Sequence, residues 1–283
     1  MKQRAYAKIN LALNLINRRE DGYHNLDTIM VPIDFYDVVD IEISDHDELI
    51  SNEEYLKNNP NTLVKAANII RERYNIKDPL KITIEKKIPT QAGLGGGSSD
   101  GAAVIRIMNK LFDLNMSYQE KTEIARMIGA DVAFTLFKKP ALATGLGDEL
   151  EFFPLNLDFE IVLVKPRGGV STRECFANID YDKLIHPDCE LIKNAAINGD
   201  YQTFIDNLGN RLEETAFRLE PSVKKVKDLL MQFPFDKVLM SGSGSTVFGI
   251  TQNQQLVTEA VTYFRKKGYF ARKAKVVRKK ENI

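Results

Sequence analysis

Over residues 5–15 the apolar side chains fall on odd positions, Ala5, Ala7, Ile9, Leu11, Leu13 and Leu15, while the even positions include Tyr6, Lys8, Asn10 and Asn14. A period of two belongs to a strand with one face on a core, so the pattern predicts a half-buried strand with Lys8 and Asn10 on its non-core face. Strand-like runs follow at residues 38–43 and 80–88, with a helical stretch over 62–74 between them and another helix running from a glycine-rich loop to residue 112. Residues 58–60 and 75–79 read as loops. An irregular link at 153–158 marks a domain junction, after which a new strand at 161–164 ends at Pro166. Helices at 189–205 and 222–232 then alternate with short strands at 237–240 and 246–250. The basic run 273–280 reads as a solvated terminal strand or frayed end. Strands and helices mix without a βαβ repeat, which predicts an α+β architecture.

Composition narrows the class of function. The chain has 283 residues, 43% of them hydrophobic, enough to bury a large core and form two compact domains. Lys and Arg total 39, as do Asp and Glu, so no net charge draws the chain to nucleic acid or to a membrane surface. A small-molecule substrate fits that balance. The two cysteines, Cys175 and Cys189, stand outside any metal-binding or disulfide spacing, which suits a reducing cytoplasm. The start is basic like a secretion signal, but Lys8, Asn10 and Asn14 interrupt the apolar stretch that such a signal needs. No apolar run approaches membrane-spanning length.

The most informative chemistry lies in Pro89-Thr90-Gln91-Ala92-Gly93-Leu94-Gly95-Gly96-Gly97-Ser98-Ser99-Asp100, between a strand and a long helical pattern. Glycines let backbone N–H groups close on a polyanion, and the helix that follows adds its positive end. Ser98, Ser99 and Asp100 are all types that cap helices. Spacing excludes two familiar nucleotide loops. No lysine follows until Lys110, so this is not the Gly-Lys-Ser/Thr loop, and Ser98 stands where a dinucleotide fingerprint needs its third glycine. A phosphate cradle of another kind remains, beside the plainer reading of a tight strand-to-helix turn.

Three separated segments resemble one group, the GHMP kinases, named for galactokinase, homoserine kinase, mevalonate kinase and phosphomevalonate kinase. They are Ala7-Lys8-Ile9-Asn10-Leu11, the glycine loop with its leading Pro89, and Ser241-Gly242-Ser243-Gly244-Ser245. Asp21-Gly22-Tyr23-His24-Asn25-Leu26, Gly129-Ala130-Asp131-Val132 and Val170-Ser171-Thr172 are similar, in the same order, to signatures of the branch that phosphorylates a cytidine diphosphate-linked alcohol in non-mevalonate isoprenoid synthesis. The resemblance implies a two-lobed fold, with an N-terminal ATP-binding domain over 1–155 and a C-terminal α/β sandwich domain over 156–283. It also implies an ATP- and Mg2+-dependent kinase acting in the cytoplasm as a monomer or homodimer.

On that resemblance Lys8 and Asp131 are the catalytic pair, with Asp131 taking the hydroxyl proton and Lys8 fixing it and the attacking oxygen. From local sequence alone Asp131 reads equally as a helix N-cap and Lys8 as a solvated strand residue. Residues 89–99 would hold ATP, and Asn10 would orient substrate or carboxylate. Tyr23, His24 and Phe176 are candidates for the cytosine, since aromatic faces stack bases, and Thr172 for the diphosphate or sugar. The turn at 241–245 either nears the phosphates or buttresses the glycine loop, and from local sequence alone reads equally as a plain Gly-Ser hairpin turn. Four positions depart from the family pattern. Ala133 replaces a proline, Lys138 and Lys139 stand where glycines are usual, and Arg211 replaces an acidic residue. A related kinase for another small alcohol, and a non-catalytic nucleotide-binding relative, stay open.

Overall fold

The computed structural model describes residues 1–179 and 186–278. Two compact units interleave along the chain: one comprises 1–8, 35–89 and 95–138, the other 9–34, 90–94 and 139–283. Strands β1 (Lys2–Arg18) and β2 (His24–Ile43) run through both units, and the two strands pair.

In the first unit, β2 continues into β3 (Glu48–Ser51), α1 (Glu54–Asn58), α2 (Thr62–Tyr74) and β4 (Leu80–Glu85), followed by α3 (Gly96–Leu111), α4 (Tyr118–Ile128) and α5 (Ala130–Phe137). The far half of β2 pairs antiparallel with β4, Val38 opposite Glu85 and Ile43 opposite Leu80. β3 lies parallel to β4, a pairing that requires the crossover made by α1 and α2. Helix α2 forms where the sequence predicts it. Leu63, Ala66, Ala67 and Ile70 recur on one buried face, Asn61 caps the start by accepting from Val64 N–H, and Asn75 ends it in the left-handed region. Ser117 and Glu120 form a capping box on α4.

The second unit adds β5 (Ala141–Thr144), β6 (Glu149–Phe152), β7 (Glu160–Lys165), α6 (Thr172–Ala177), α7 (Cys189–Asn198), α8 (Tyr201–Asn207), α9 (Glu213–Leu219), α10 (Pro221–Leu230), β8 (Lys237–Met240), β9 (Val247–Thr251), α11 (Gln254–Lys266) and β10 (Phe270–Ala274). Its sheet runs β10-β7-β9-β8, all antiparallel. Val223, Val226 and Leu230 of α10 and Val257, Ala260 and Phe264 of α11 bury against Val162, Val164 and Val247 of the sheet, the helix-on-sheet layering of an α+β sandwich.

Three expectations need correction. The helix predicted over 189–205 is two helices, because Gly199 turns the chain with φ +74 and Asp200 caps α8 by accepting from Thr203 N–H. Strand β1 is buried on both faces from Ala7 to Leu13, so Lys8 and Asn10 are core residues, 4% and 3% exposed. Polar alternation there marks partnered groups, not a solvated face. The basic tail is strand only through Ala274. Beyond it, Asp34 N–H donates to Lys275 O and Val277 N–H to Pro32 O, while Lys279 and Lys280 lie outside the described residues. Among the described residues no helix is long and apolar enough to cross a membrane.

Candidate active site

In the first unit the glycine segment opens α3. Its cap is Gly95, in the left-handed region with φ +65, and no side chain caps the helix. The first intrahelical bond is Ser99 N–H to Gly95 O at 2.9 Å. The N–H groups of Gly96, Gly97 and Ser98 therefore precede the helical ladder and point outward with the positive end of the dipole. Ser98, Ser99 and Asp100 lie inside the helix and do not cap it, contrary to the sequence reading. Ser99, 1% exposed, donates its hydroxyl to Tyr6 O at 2.5 Å and so ties the helix to β1.

Lys8 reaches this helix end from β1. A Cβ on Gly95 would stand 2.9 Å from Lys8 Cγ, so the glycine makes room for the lysine stem. The Lys8 ammonium pairs with Asp131 at 3.2 Å, buried at the lysine end and 37% exposed at the carboxylate. Asp131 is the second residue of α5, whose cap is Gly129, so it does not serve as an N-cap. It sits where the α5 dipole favours negative charge. Behind the glycine helix, Lys86 donates to both Asp37 at 2.5 Å and Asp100 at 2.8 Å. Sequence reading missed this cluster. Thr62, at the start of α2, donates to Gly97 O at 2.5 Å, and beside it opens a cavity of about 740 Å³ lined by Leu49, Leu56, Pro60, Asn61, Thr62 and others.

In the second unit the earlier part of the segment is clamped by the turn at 241–245. Ser245 N–H donates to Gln91 O, Thr246 N–H to Ala92 O and the Ser241 hydroxyl to Gly93 O at 2.9 Å. Gly93 has φ +70, and a Cβ there would stand 2.0 Å from Ser241 O. The 241–245 turn thus buttresses the loop, one of its two predicted roles. Pro89 is half-buried and Thr90 exposed where the segment leaves β4.

The residues assigned to substrate lie in this second unit. Asn10 donates its side-chain N–H to Thr28 Oγ1 at 2.8 Å, and its backbone N–H to the Ser241 hydroxyl. His24 and Phe176 come together with ring centroids 5.5 Å apart and tilted by 39°. Burial, with Arg18 adding to it, holds the His24 imidazole below its ordinary value, so the ring is neutral at pH 7. The Thr172 and Ser243 hydroxyls are 2.8 Å apart. Tyr23 stands apart from these, 66% exposed in the β1–β2 turn, where its N–H donates to Asp21 Oδ1.

The four departures have local explanations in part. Ala133 is buried within α5. Lys138 ends α5 in the left-handed region with φ 53, a conformation that favours glycine, and lays its ammonium 5.2 Å from the Tyr6 ring. Lys139 lies over Phe152. Arg211 is buried, donates to Leu15 O and lies 3.2 Å from His186 Nδ1.

Comparison with known proteins matches residues 61–139 to the GHMP kinases N terminal domain and 191–269 to the GHMP kinases C terminal domain. A curated relative from Bacillus cereus (strain B4264), a 4-diphosphocytidyl-2-C-methyl-D-erythritol kinase, is 38% identical over 253 residues, 88% of each chain. This chain belongs to that kinase family. A crystal structure of 4-(cytidine 5'-diphospho)-2C-methyl-D-erythritol kinase is 31% identical with a TM-score of 0.81, covering 98% of this chain and all of that one. Homoserine kinase from Cytophaga hutchinsonii shares the fold at 16% identity, with a TM-score of 0.72 over 96% of this chain and 94% of its own.

Proposed function

We propose that the chain transfers the γ-phosphoryl group of ATP to the 2-hydroxyl of 4-diphosphocytidyl-2-C-methyl-D-erythritol. The observation that carries the chemistry is the Lys8–Asp131 pair, with the stem of Lys8 packed beneath Gly95 at the head of the uncapped helix. Family membership carries the substrate. The match of each half of the chain to one family domain supports an N-terminal domain over 1–155 and a C-terminal domain over 156–283.

Residues 89–99 hold the nucleotide, its phosphates on the amides of Gly96, Gly97 and Ser98 and its nucleoside toward the cavity beside Thr62. Phosphoryl transfer runs through a loose transition state, so positioning and charge do most of the work. The substrate oxygen forms a bond to the γ-phosphorus as the bond to the ADP oxygen breaks, and the hydroxyl proton passes to the Asp131 carboxylate. Lys8 holds that carboxylate in place and stabilises negative charge growing on the attacking oxygen. Mg2+ would come bound to the ATP phosphates and neutralise their charge. Asn10 orients the substrate, Thr172 takes its diphosphate or sugar, and the paired rings of His24 and Phe176, with Tyr23 from its exposed turn position, take the cytosine.

The test is ATP consumption with Mg2+ and this substrate, the product being identified by mass. Turnover that Asp131→Ala abolishes is the expected result. ATP binding without turnover would overturn the substrate and leave a kinase for another alcohol.

A further inference from the structure

Three side chains of the first unit, two acids and one base, are shut off from water against the glycine helix. Asp37 on β2 is 0% exposed, Asp100 on α3 2% and Lys86 just after β4 8%. The Lys86 ammonium would lie 3.3 Å from a Cβ on Gly96, the first residue of α3, so the cluster stands directly behind the helix end.

The two acids are served unequally. Asp37 accepts from three donors, Lys87 N–H at 2.5 Å, Ile88 N–H at 2.8 Å and the Lys86 ammonium. Asp100 accepts from Lys86 on one oxygen, and its Oδ1 has no hydrogen-bond partner among the described residues. One ammonium does not neutralise two dry carboxylates, and a buried charged oxygen without a donor is costly. Giving that oxygen a proton removes the excess charge, and a neutral hydroxyl without a partner costs far less to bury than a charged oxygen. The better-served Asp37 keeps the charge.

We propose that Asp100 is a positioning residue of the nucleotide site, standing as a neutral carboxylic acid that shares Lys86 with the Asp37 carboxylate. Helix α3 then presents its open amides to phosphate with no net negative charge behind them. The inference rests on the reading of this helix end as the phosphate seat.

The titratable surroundings agree. Burial pushes the Asp100 carboxyl up to about 8; Asp37 adds to the shift through its charge, and Lys86 opposes it. Burial also works against the Lys86 ammonium, but Asp100 and Asp37 together hold it above its ordinary value. Tyr55 of α1 also faces the cluster, its phenol raised above 10.0 by burial, with Glu53 beside it. As pH rises through about 8, Asp100 loses its proton, and a negative charge appears behind Gly96.

Two measurements on the full chain test this. Infrared spectra of the protein without ligand are compared with those of Asp100→Asn, and Mg-ADP affinity of both is followed from about pH 7 to 9.5. The expected results are a protonated-carboxyl band that titrates away near pH 8 and is missing from the variant, with affinity falling about tenfold in the wild type and staying level in the variant. A missing band at pH 7 overturns the neutral acid whether or not nucleotide binds. A band without the affinity change, or an equal fall in both proteins, overturns the positioning role. Failure of Mg-ADP to bind at pH 7, with the band present, removes the phosphate seat itself and the inference with it. Should the variant not fold, the two wild-type titrations decide alone.

Discussion

Lys8 and Asp131 are tied to each other more firmly than to solvent, since only the carboxylate end of the pair is open. Asp131→Asn keeps the shape and loses the base and the ion pair, so kcat is expected to fall by about 10²- to 10⁴-fold while Mg-ATP affinity changes little. Single-turnover kinetics beside equilibrium binding separates the two quantities. Lys138 offers a second residue-scale test. Burial, with Arg106 and Arg4 nearby, pushes its amine down to about 7, so a large share is uncharged at neutral pH. Limiting acylation at pH 7 followed by peptide mapping should label Lys138 ahead of the exposed lysines; uniform labelling would contradict the environment described. Asp100 bears on stability as well as on nucleotide. Unfolded, it gives up its proton near 3.8; folded, it keeps it to about 8. Its contribution to stability is therefore greatest below about pH 4 and is lost as pH rises to about 8. Asp100→Asn escapes that loss, and should be more stable than the wild type by on the order of 2–4 kcal/mol at pH 8, with a smaller gap at pH 5, as read by urea unfolding.

At the scale of elements, the glycine segment is fixed by what it touches. Gly93 and Gly22 both have positive φ, but a Cβ on Gly22 meets nothing within 4 Å, while one on Gly93 meets Ser241 O. Gly22→Ala should cost about 1 kcal/mol from backbone strain alone, and Gly93→Ala more than about 2 kcal/mol because the 241–245 turn must move. Matched denaturation curves test the difference. The same contrast shows what was legible in sequence. The glycines, the helix at 62–74 and the strand at 237–240 were readable because local pattern decides them. The clamp of Ser241 and Ser245 on the loop was readable only as one of two options, since it joins segments some 150 residues apart. Asp37 left a signal that went unread: it falls on the odd, apolar parity of β2 with Ile33, Phe35, Val39 and Ile41, all buried. A carboxylate in that register needs a buried partner. Lys8 and Asn10 misled for the complementary reason. Alternation reports which residues share a face, and a face closed by Asp131 and Thr28 looks the same in sequence as one open to water.

For the whole molecule, the governing fact is the order in which the chain visits its two units. Leu13 and Leu15 share a core cluster with Val162, Val164, Val247 and Phe264. A fragment ending at residue 158 keeps the two leucines and lacks those partners. It is expected to bind an apolar dye and to exchange the amides of residues 9–34 rapidly, whereas the intact chain protects them. Slow exchange in the fragment would show that the segment is held by local contacts. The same threading sets a timetable on the ribosome. The first unit has all its residues once position 138 has been made, but residues 9–34 are made long before their last backbone partners, residues 275–277 just beyond β10. Until β6 has been made at residue 152 this long apolar stretch has no finished sheet to join, so over that interval the nascent chain is most open to aggregation, or to capture by a chaperone, over its first strands.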